Sequence, residues 1–191
     1  GSATDSKRSV ALEKQPVSVW NAENNTDLAA HYAVRHRVFV NEQGVLVFTD
    51  VDRWDVQPGV VHVLAAFGQS CAGSVRLYPI DNNGRWKGDR LAVLKNHRGP
   101  VIGAQLVRFA TATAAAQGGV VMEASVQLAN VRFFQRLGWT RDGGEQKTYG
   151  LLHQPMLFDL TTAPPLDWPG RPDFFVTDSD FNNGGEALCP A

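Results

Sequence analysis

Four sets of residues carry side chains whose types and spacing could do chemistry. The first is Arg98-Gly99-Pro100-Val101-Ile102-Gly103-Ala104, which joins the apolar run Leu91-Ala92-Val93-Leu94 to a stretch from Gln105 to Gln117. A strand, a short glycine-bearing loop and a helix in that order bring backbone N–H groups and a helix dipole to one point. Such a point suits an anion like pyrophosphate, and Arg98 adds a positive charge at its entrance. A plain strand-to-helix turn accounts for the loop equally well. It has neither the Gly-Lys-Ser/Thr of a Walker loop nor the Gly-x-Gly-x-x-Gly of a dinucleotide fold.

The second is Glu123, a single carboxylate in the apolar run Val120 to Ala124. A buried carboxylate is costly unless it is paired or used. It is therefore a candidate base or substrate ligand, or one half of a structural ion pair with an arginine such as Arg35 or Arg76. The third comprises His62 and His153, whose imidazoles titrate in the range useful for proton transfer, although a lone histidine more often has a structural role. The fourth is Asp50, Asp52 and Asp55. These read as a hydrated turn, as a negative wall that draws in a cationic amine, or as oxygen ligands for Ca²⁺ or Mg²⁺. The closing Glu and fixed Gly of an EF-hand loop are missing, which speaks against the metal.

Periodicity supplies the elements that must position these groups. Val17 to Trp20 alternates as a first strand, and Asn24 to Asp27 offers caps for a helix through Leu28, Ala29, Tyr32, Ala33 and His36, which runs into Val38-Phe39-Val40. Val61 to Phe67 reads as a buried strand, Gly68-Gln69-Ser70 as a hairpin turn, Ala72 to Tyr78 as its partner, and Arg90 to Leu94 as a further strand after the turn at Asp81 to Gly84. Leu106, Val107, Ala110 and Ala114 share one face of a helix that Gly118-Gly119 ends. Val120 to Ser125 is again a strand, Leu128 to Leu137 a helix, and Thr148 to Leu160 two short extended pieces. Antiparallel hairpins followed by strand-helix units predict an α+β fold, a sheet with helices on both faces.

Residues 1–16 read as a disordered leader with a tag remnant, 17–160 as the folded domain, and 161–191 as a tail without its own core. Trp168, Phe174, Phe175 and Phe181 predict that this tail docks on the domain or on a neighbouring subunit, so that a homodimer is possible. The 191 residues, 43% of them hydrophobic, suffice to bury one core. With 18 Lys+Arg against 19 Asp+Glu and no basic block, nucleic acid is not an expected partner. No apolar run approaches the ~20 residues of a spanning helix, so neither is a membrane. Cys71 and Cys189 lie far apart and predict neither a disulfide framework nor a Cys-rich zinc site. Without the apolar core of a secretory signal, the expected location is the cytoplasm.

The order of elements resembles the GNAT superfamily of acyl-CoA-dependent N-acyltransferases over roughly residues 17 to 160. Arg98 to Ala104 is similar to that family's Arg-Gly-x-Gly-x-Gly/Ala pyrophosphate loop. Phe133-Phe134-Gln135-Arg136-Leu137-Gly138-Trp139 is similar to its Phe-Tyr-x-x-Leu-Gly-Phe signature. Arg35-x-Arg37-Val38-Phe39, Glu42-Gln43-Gly44, the three aspartates, His62 and His153-Gln154-Pro155-Met156 resemble the ElaA-type branch, and Val126 to Phe134 a subfamily encoded beside nitrilase-type genes. Val101 stands where the loop usually has glycine, and Phe134 where a tyrosine often protonates the leaving thiolate.

The resemblance implies a GNAT-like mixed, mostly antiparallel sheet, splayed near its middle, that moves an acetyl or other short acyl group from CoA to a primary amine of a small molecule. Acetyl-CoA, or another acyl-CoA, is the expected co-substrate, with no metal. Backbone N–H groups at Leu91 and Val93 would polarise the thioester. Arg98, Gly99, Val101, Ile102, Gly103 and Ala104 would hold pyrophosphate, and Asn130 and Phe134 would line the pantetheine. Arg37, Glu42, Asp50, Asp52 and Arg76 would meet the acceptor. Glu123 is the first candidate for the base and His153 the second. Autoinducer synthases share part of the pattern, which leaves S-adenosylmethionine as an alternative acceptor. A non-catalytic acyl-CoA sensor and a purely structural interaction domain remain as further alternatives.

Overall fold

The computed structural model describes residues 17–168 and 170–173. Residues 1–16, Cys189 and the tail's Phe174, Phe175 and Phe181 lie outside them.

Strand β1 (Val17–Asn21) leads into helix α1 (Asn25–Arg35), whose first turn is capped by Asn24 accepting from the Asp27 amide at 2.8 Å. The helix continues as a π-helical segment through His36–Glu42. Strands β2 (Val61–Phe67), β3 (Ser70–Pro79) and β4 (Arg85–Val93) form an antiparallel meander. Strand β4 starts five residues earlier than the apolar run at Arg90 suggested. Its first half, Arg85 to Asp89, has Trp86 as its one large apolar side chain. It is set by the turn in which Asp81 accepts from the amides of Asn83 and Arg85.

Helix α2 (Pro100–Ala116) also starts early, at Pro100 rather than Gln105. Proline's fixed φ fits the first helical position, and Gly99, at φ 151°, makes the turn into it. Val101 to Ala104 are thus the first turn of a helix, not a loop. Strand β5 (Val121–Gln127), the short helix α3 (Val131–Arg136), and strands β6 (Thr140–Arg141), β7 (Gln146–Thr148) and β8 (Leu151–Asp159) complete the domain.

The sheet has the order β1-β2-β3-β4-β5-β8-β6, with β7 paired to the end of β8. It is mixed and mostly antiparallel, and β4·β5 is its parallel pair. That pair is joined at three positions, Arg85↔Val121 to Lys87↔Glu123, and then parts. The separation coincides with a bulge in β4. Its register against β3 shifts between Ser74 and Arg76, and Arg90 has φ 51°. An extra residue in one strand bends and twists it away from its neighbour. Helix α2 packs Leu106, Val107 and Ala110 with Val75, Leu77 and Met122 on one face of the sheet. Helix α1 packs Ala30 and Val34 with Leu64, Ala66 and Ala92 on the other.

Cys71 is buried in β3, and its distant companion Cys189 lies outside the described residues. Beyond β8, Trp168 meets the edge of Phe109 at 6.0 Å and Arg171 bonds Asp27 at 3.0 Å. Among the described residues no helix is long and apolar enough to cross a membrane.

Candidate active site

Where β4 and β5 part, a cavity of about 290 Å³ opens through the sheet. Strand alternation divides its lining. Tyr78 and Asp89 lie on the α1 face, with Asp52, Trp54, Arg90 and Phe39 beside them. Val75, Val107, Ala110, Met122, Phe134 and Trp139 belong to the core beneath α2 and give the other arm its apolar wall. His153, Gln127 and Asn130 line the open end of the gap.

The polar arm is backed by a network of arginines and aspartates. Arg35 donates to Asp50 at 2.6 Å and, through both terminal nitrogens, to Asp55 at 2.6 and 3.0 Å. Arg76 donates to Asp52 at 2.6 Å and to Asp89 at 2.8 and 2.7 Å, and pairs with Asp55 at 3.0 Å. Arg90 reaches Asp52 at 3.2 Å, and the His62 Nε2 lies 2.9 Å from Asp55. Three guanidinium groups against four carboxylates leave one negative charge when the imidazoles are neutral.

Burial opposes ionisation of Asp55, but hydrogen bonds from His62, Arg35 and the Asp52 amide hold its carboxyl far below the usual range. Burial likewise works against Asp52, and Arg76 outweighs it. Burial and the neighbouring Asp89 push the Tyr78 hydroxyl upward, so it stays protonated and donates to Asp89 at 3.3 Å. With Asp50 2% and Asp55 6% exposed, the acidic cluster is not a hydrated turn, and arginines close Asp50 and Asp55 to any cation; Asp52 and Asp89, paired with Arg76 on one side, keep an exposed face in the cavity lining.

The structure sorts the substrate candidates. Asp52 reaches the cavity, while Asp50 and Arg76 stand behind it as supports. Glu42 pairs with Arg98, and Arg37 is exposed on the π-helical segment; neither lines the cavity. Glu123 also lies outside the lining. Its ion-pair partner is Arg85, at 2.7 Å, rather than Arg35 or Arg76, because Arg85 starts the strand beside it. His153 does line the cavity, with Nδ1 3.0 Å from the Leu151 carbonyl oxygen. A carbonyl oxygen only accepts, so Nδ1 carries the proton and Nε2 presents its lone pair.

Trp54 and Trp139, which the sequence suggests as core or pocket walls, both line the cavity, but the sequence did not single out Tyr78, on which Trp54 stacks at 4.7 Å, or Asp89, Arg90 and Tyr149. For Asp89, the available signal was its place two residues before the Leu91 run. Tyr149 has φ 51° in the β7–β8 turn, a backbone state that a sequence pattern does not reveal.

Strand β4 borders the gap. The Leu94 amide bonds Ala72 on β3 at 2.8 Å, so by alternation the Val93 and Leu91 amides turn toward the gap. Arg98 Nε donates to the Val93 carbonyl at 3.2 Å on that side. At the start of α2 the Val101 and Ile102 amides have no intrahelical acceptor, and no side chain caps them. Gly103 faces inward instead: a Cβ there would meet the Phe133 ring at 3.3 Å, so this position offers its backbone alone. Phe134 lines the cavity edge-on to Trp139 at 5.3 Å, and Asn130 is exposed at the mouth.

Residues 42–160 match the acetyltransferase (GNAT) domain family. The chain belongs to that family. It is 31% identical over 121 residues to YjcF, an uncharacterized N-acetyltransferase of Bacillus subtilis, spanning 62% of this chain and 81% of that one. Its fold is similar to that of an acyl-CoA N-acyltransferase from Pseudomonas aeruginosa, with TM-score 0.65 and 21% identity over 75% of this chain and 99% of the other. Escherichia coli ElaA is alike to the same degree, with TM-score 0.65 and 20% identity over 74% and 97% of the two chains. As a GNAT protein the chain is an acyl-CoA-dependent N-acyltransferase. The uncapped start of α2 and the strand edges left open by the gap fit its acyl-CoA co-substrate: amides and Arg98 for the phosphates, β4 amides for the amide-bearing arm.

Proposed function

We propose that this GNAT protein moves an acyl group from CoA to the primary amine of a small cationic molecule, with His153 as the base. The observation that carries the reading is His153 in the cavity lining with Nδ1 held at the Leu151 carbonyl, which leaves Nε2 as the acceptor of the neutral ring. The ammonium is drawn to Asp52 and Asp89 and held against the Trp54–Tyr78 pair. His153 takes one proton, and the freed nitrogen lone pair attacks the thioester carbon. The carbonyl oxygen is polarised by the Leu91 amide as charge builds on it. The C–S bond then breaks, sulfur leaves with the electron pair, and the second nitrogen proton ends on sulfur directly or through one water. That route needs no tyrosine at position 134.

A panel of amines at saturating acyl-CoA, followed by release of free thiol, tests the acceptor class. Agmatine, spermidine and tyramine are expected to turn over, and glutamate, with two carboxylates, is not. Equal rates for glutamate and agmatine would overturn the cationic acceptor.

A further inference from the structure

We infer that the acyl group is longer than acetyl and that its chain occupies the apolar arm beneath α2. The inference rests on the acyl-transfer reading and names its donor. The thioester carbonyl is placed by the Leu91 amide, with the pantetheine running from there to the open end at Val93 and Asn130. An acetyl methyl would end beside Leu91.

The cavity does not end there. Its lining also takes in Gly88 and Met122, next to the last β4–β5 pair Lys87↔Glu123, and Val107 and Ala110 of α2. Protein interiors are packed to crystal density, and unfilled apolar space is destabilising in proportion to its volume. An apolar arm joined to a catalytic gap is space kept for a ligand.

Three features keep it open. Ala110 is small where α2 crosses the arm. Gly88 adds no side chain beside Met122, whose sulfur already lies 3.1 Å from where a Cβ would stand. Met122, unbranched and polarizable, can adjust to chains of different length. A separate observation also points to a ligand: Trp139 lines this arm, and its indole N–H is buried with no hydrogen-bond partner among the described residues. An unmet buried donor is unfavourable, and a ligand oxygen brought into the cavity would satisfy it.

The test compares acetyl-, butanoyl-, hexanoyl- and octanoyl-CoA with one amine by kcat/KM, and by the shift each gives in the protein's melting temperature. Each methylene taken out of water is worth about fourfold, so hexanoyl-CoA is expected to exceed acetyl-CoA by at least ~10-fold in kcat/KM and to give the larger shift. Ala110→Leu and, as a second filling variant, Ala124→Val, at a lining residue on the Met122 face of β5, are expected to reverse the order in favour of acetyl-CoA. A preference for acetyl-CoA in the parent protein, or a chain-length profile unchanged in both folded variants, would overturn the inference. Larger shifts with hexanoyl-CoA but no thiol released with any amine would keep the chain site and remove the transfer reading instead. Equal shifts and no turnover would remove both.

Discussion

Glu123 and Arg85 are joined through the Glu123 Oε2, which lies 2.7 Å from both Nε and Nη2 of Arg85. The pair bridges the last paired segment of β4 and β5, and both side chains are about a third exposed. The carboxylate Oε2 is held by a cation, and Glu123 is not among the residues that line the cavity. Glu123→Gln is therefore expected to change turnover by less than about threefold. The stability change should be about 1 kcal/mol or less, as for other solvent-exposed pairs. Turnover and chemical denaturation on one preparation check this, and a large loss of turnover at unchanged stability would return the base assignment to Glu123.

His153→Gln keeps a polar side chain of similar reach but cannot take up a proton. Turnover is expected to fall by roughly 10²–10⁴-fold, the usual worth of general-base catalysis. The acyl-CoA dissociation constant should stay within about threefold. A matched loss of affinity would make His153 a binding residue.

Arg98 joins Glu42 of the π-helical segment to the Val93 carbonyl and stands beside the uncapped start of α2. Removing it as Arg98→Ala should weaken acyl-CoA binding by about 10- to 100-fold, the worth of a hydrogen bond to a charged group. Gly103→Glu is a poor probe of the same site, because its side chain would run into Phe133. It is expected to destabilise the fold whether or not CoA is present. Calorimetric titration separates the two variants.

His31 is fully buried between the Val63 carbonyl, 3.0 Å from Nδ1, and Arg35. Burial, then the positive charge of Arg35, hold its pKa well below the ordinary value of about 6.5. Below that pH the unfolded chain takes up a proton that the folded chain refuses. Stability should therefore fall as pH drops through ~6.5, with a slope of up to about 1.4 kcal/mol per pH unit. Asp52 and Asp55 are held ionised in the fold and add a second loss below pH ~4. Denaturation at pH 7.5, 6.5 and 5.5 is expected to show the first slope in the parent chain and a flatter one in His31→Gln. Identical slopes would assign the proton uptake to another group.

Much of the scaffold was legible because its signals are local. The Asn24 cap, the apolar run of β2 and the glycines that close α2 each sit within a few residues of what they specify. The two starts that were misplaced, β4 at Arg85 and α2 at Pro100, depend on a polar strand segment and on one glycine's backbone, neither of which has an apolar period. The aspartates could not be assigned, since their partners Arg35, Arg76 and Arg90 come from α1, β3 and β4, and only the folded sheet brings them together. The resemblance supplied the gap between β4 and β5 that no single strand's pattern contains. The apolar arm beyond it lies in the space between α2 and the sheet, which sequence alone does not outline.

Transfer from a CoA thioester to an amine is read most directly by mixing the protein with hexanoyl-CoA and agmatine, then following both the free thiol and the mass of the amine. Thiol should appear only when the amine is present, in equal amount to an amine product heavier by one hexanoyl group in place of one hydrogen, and His153→Gln should slow both together. Thiol released at the same rate without amine, or a bound thioester that stays intact with agmatine and every other amine of the panel, would contradict acyl transfer to a cationic amine.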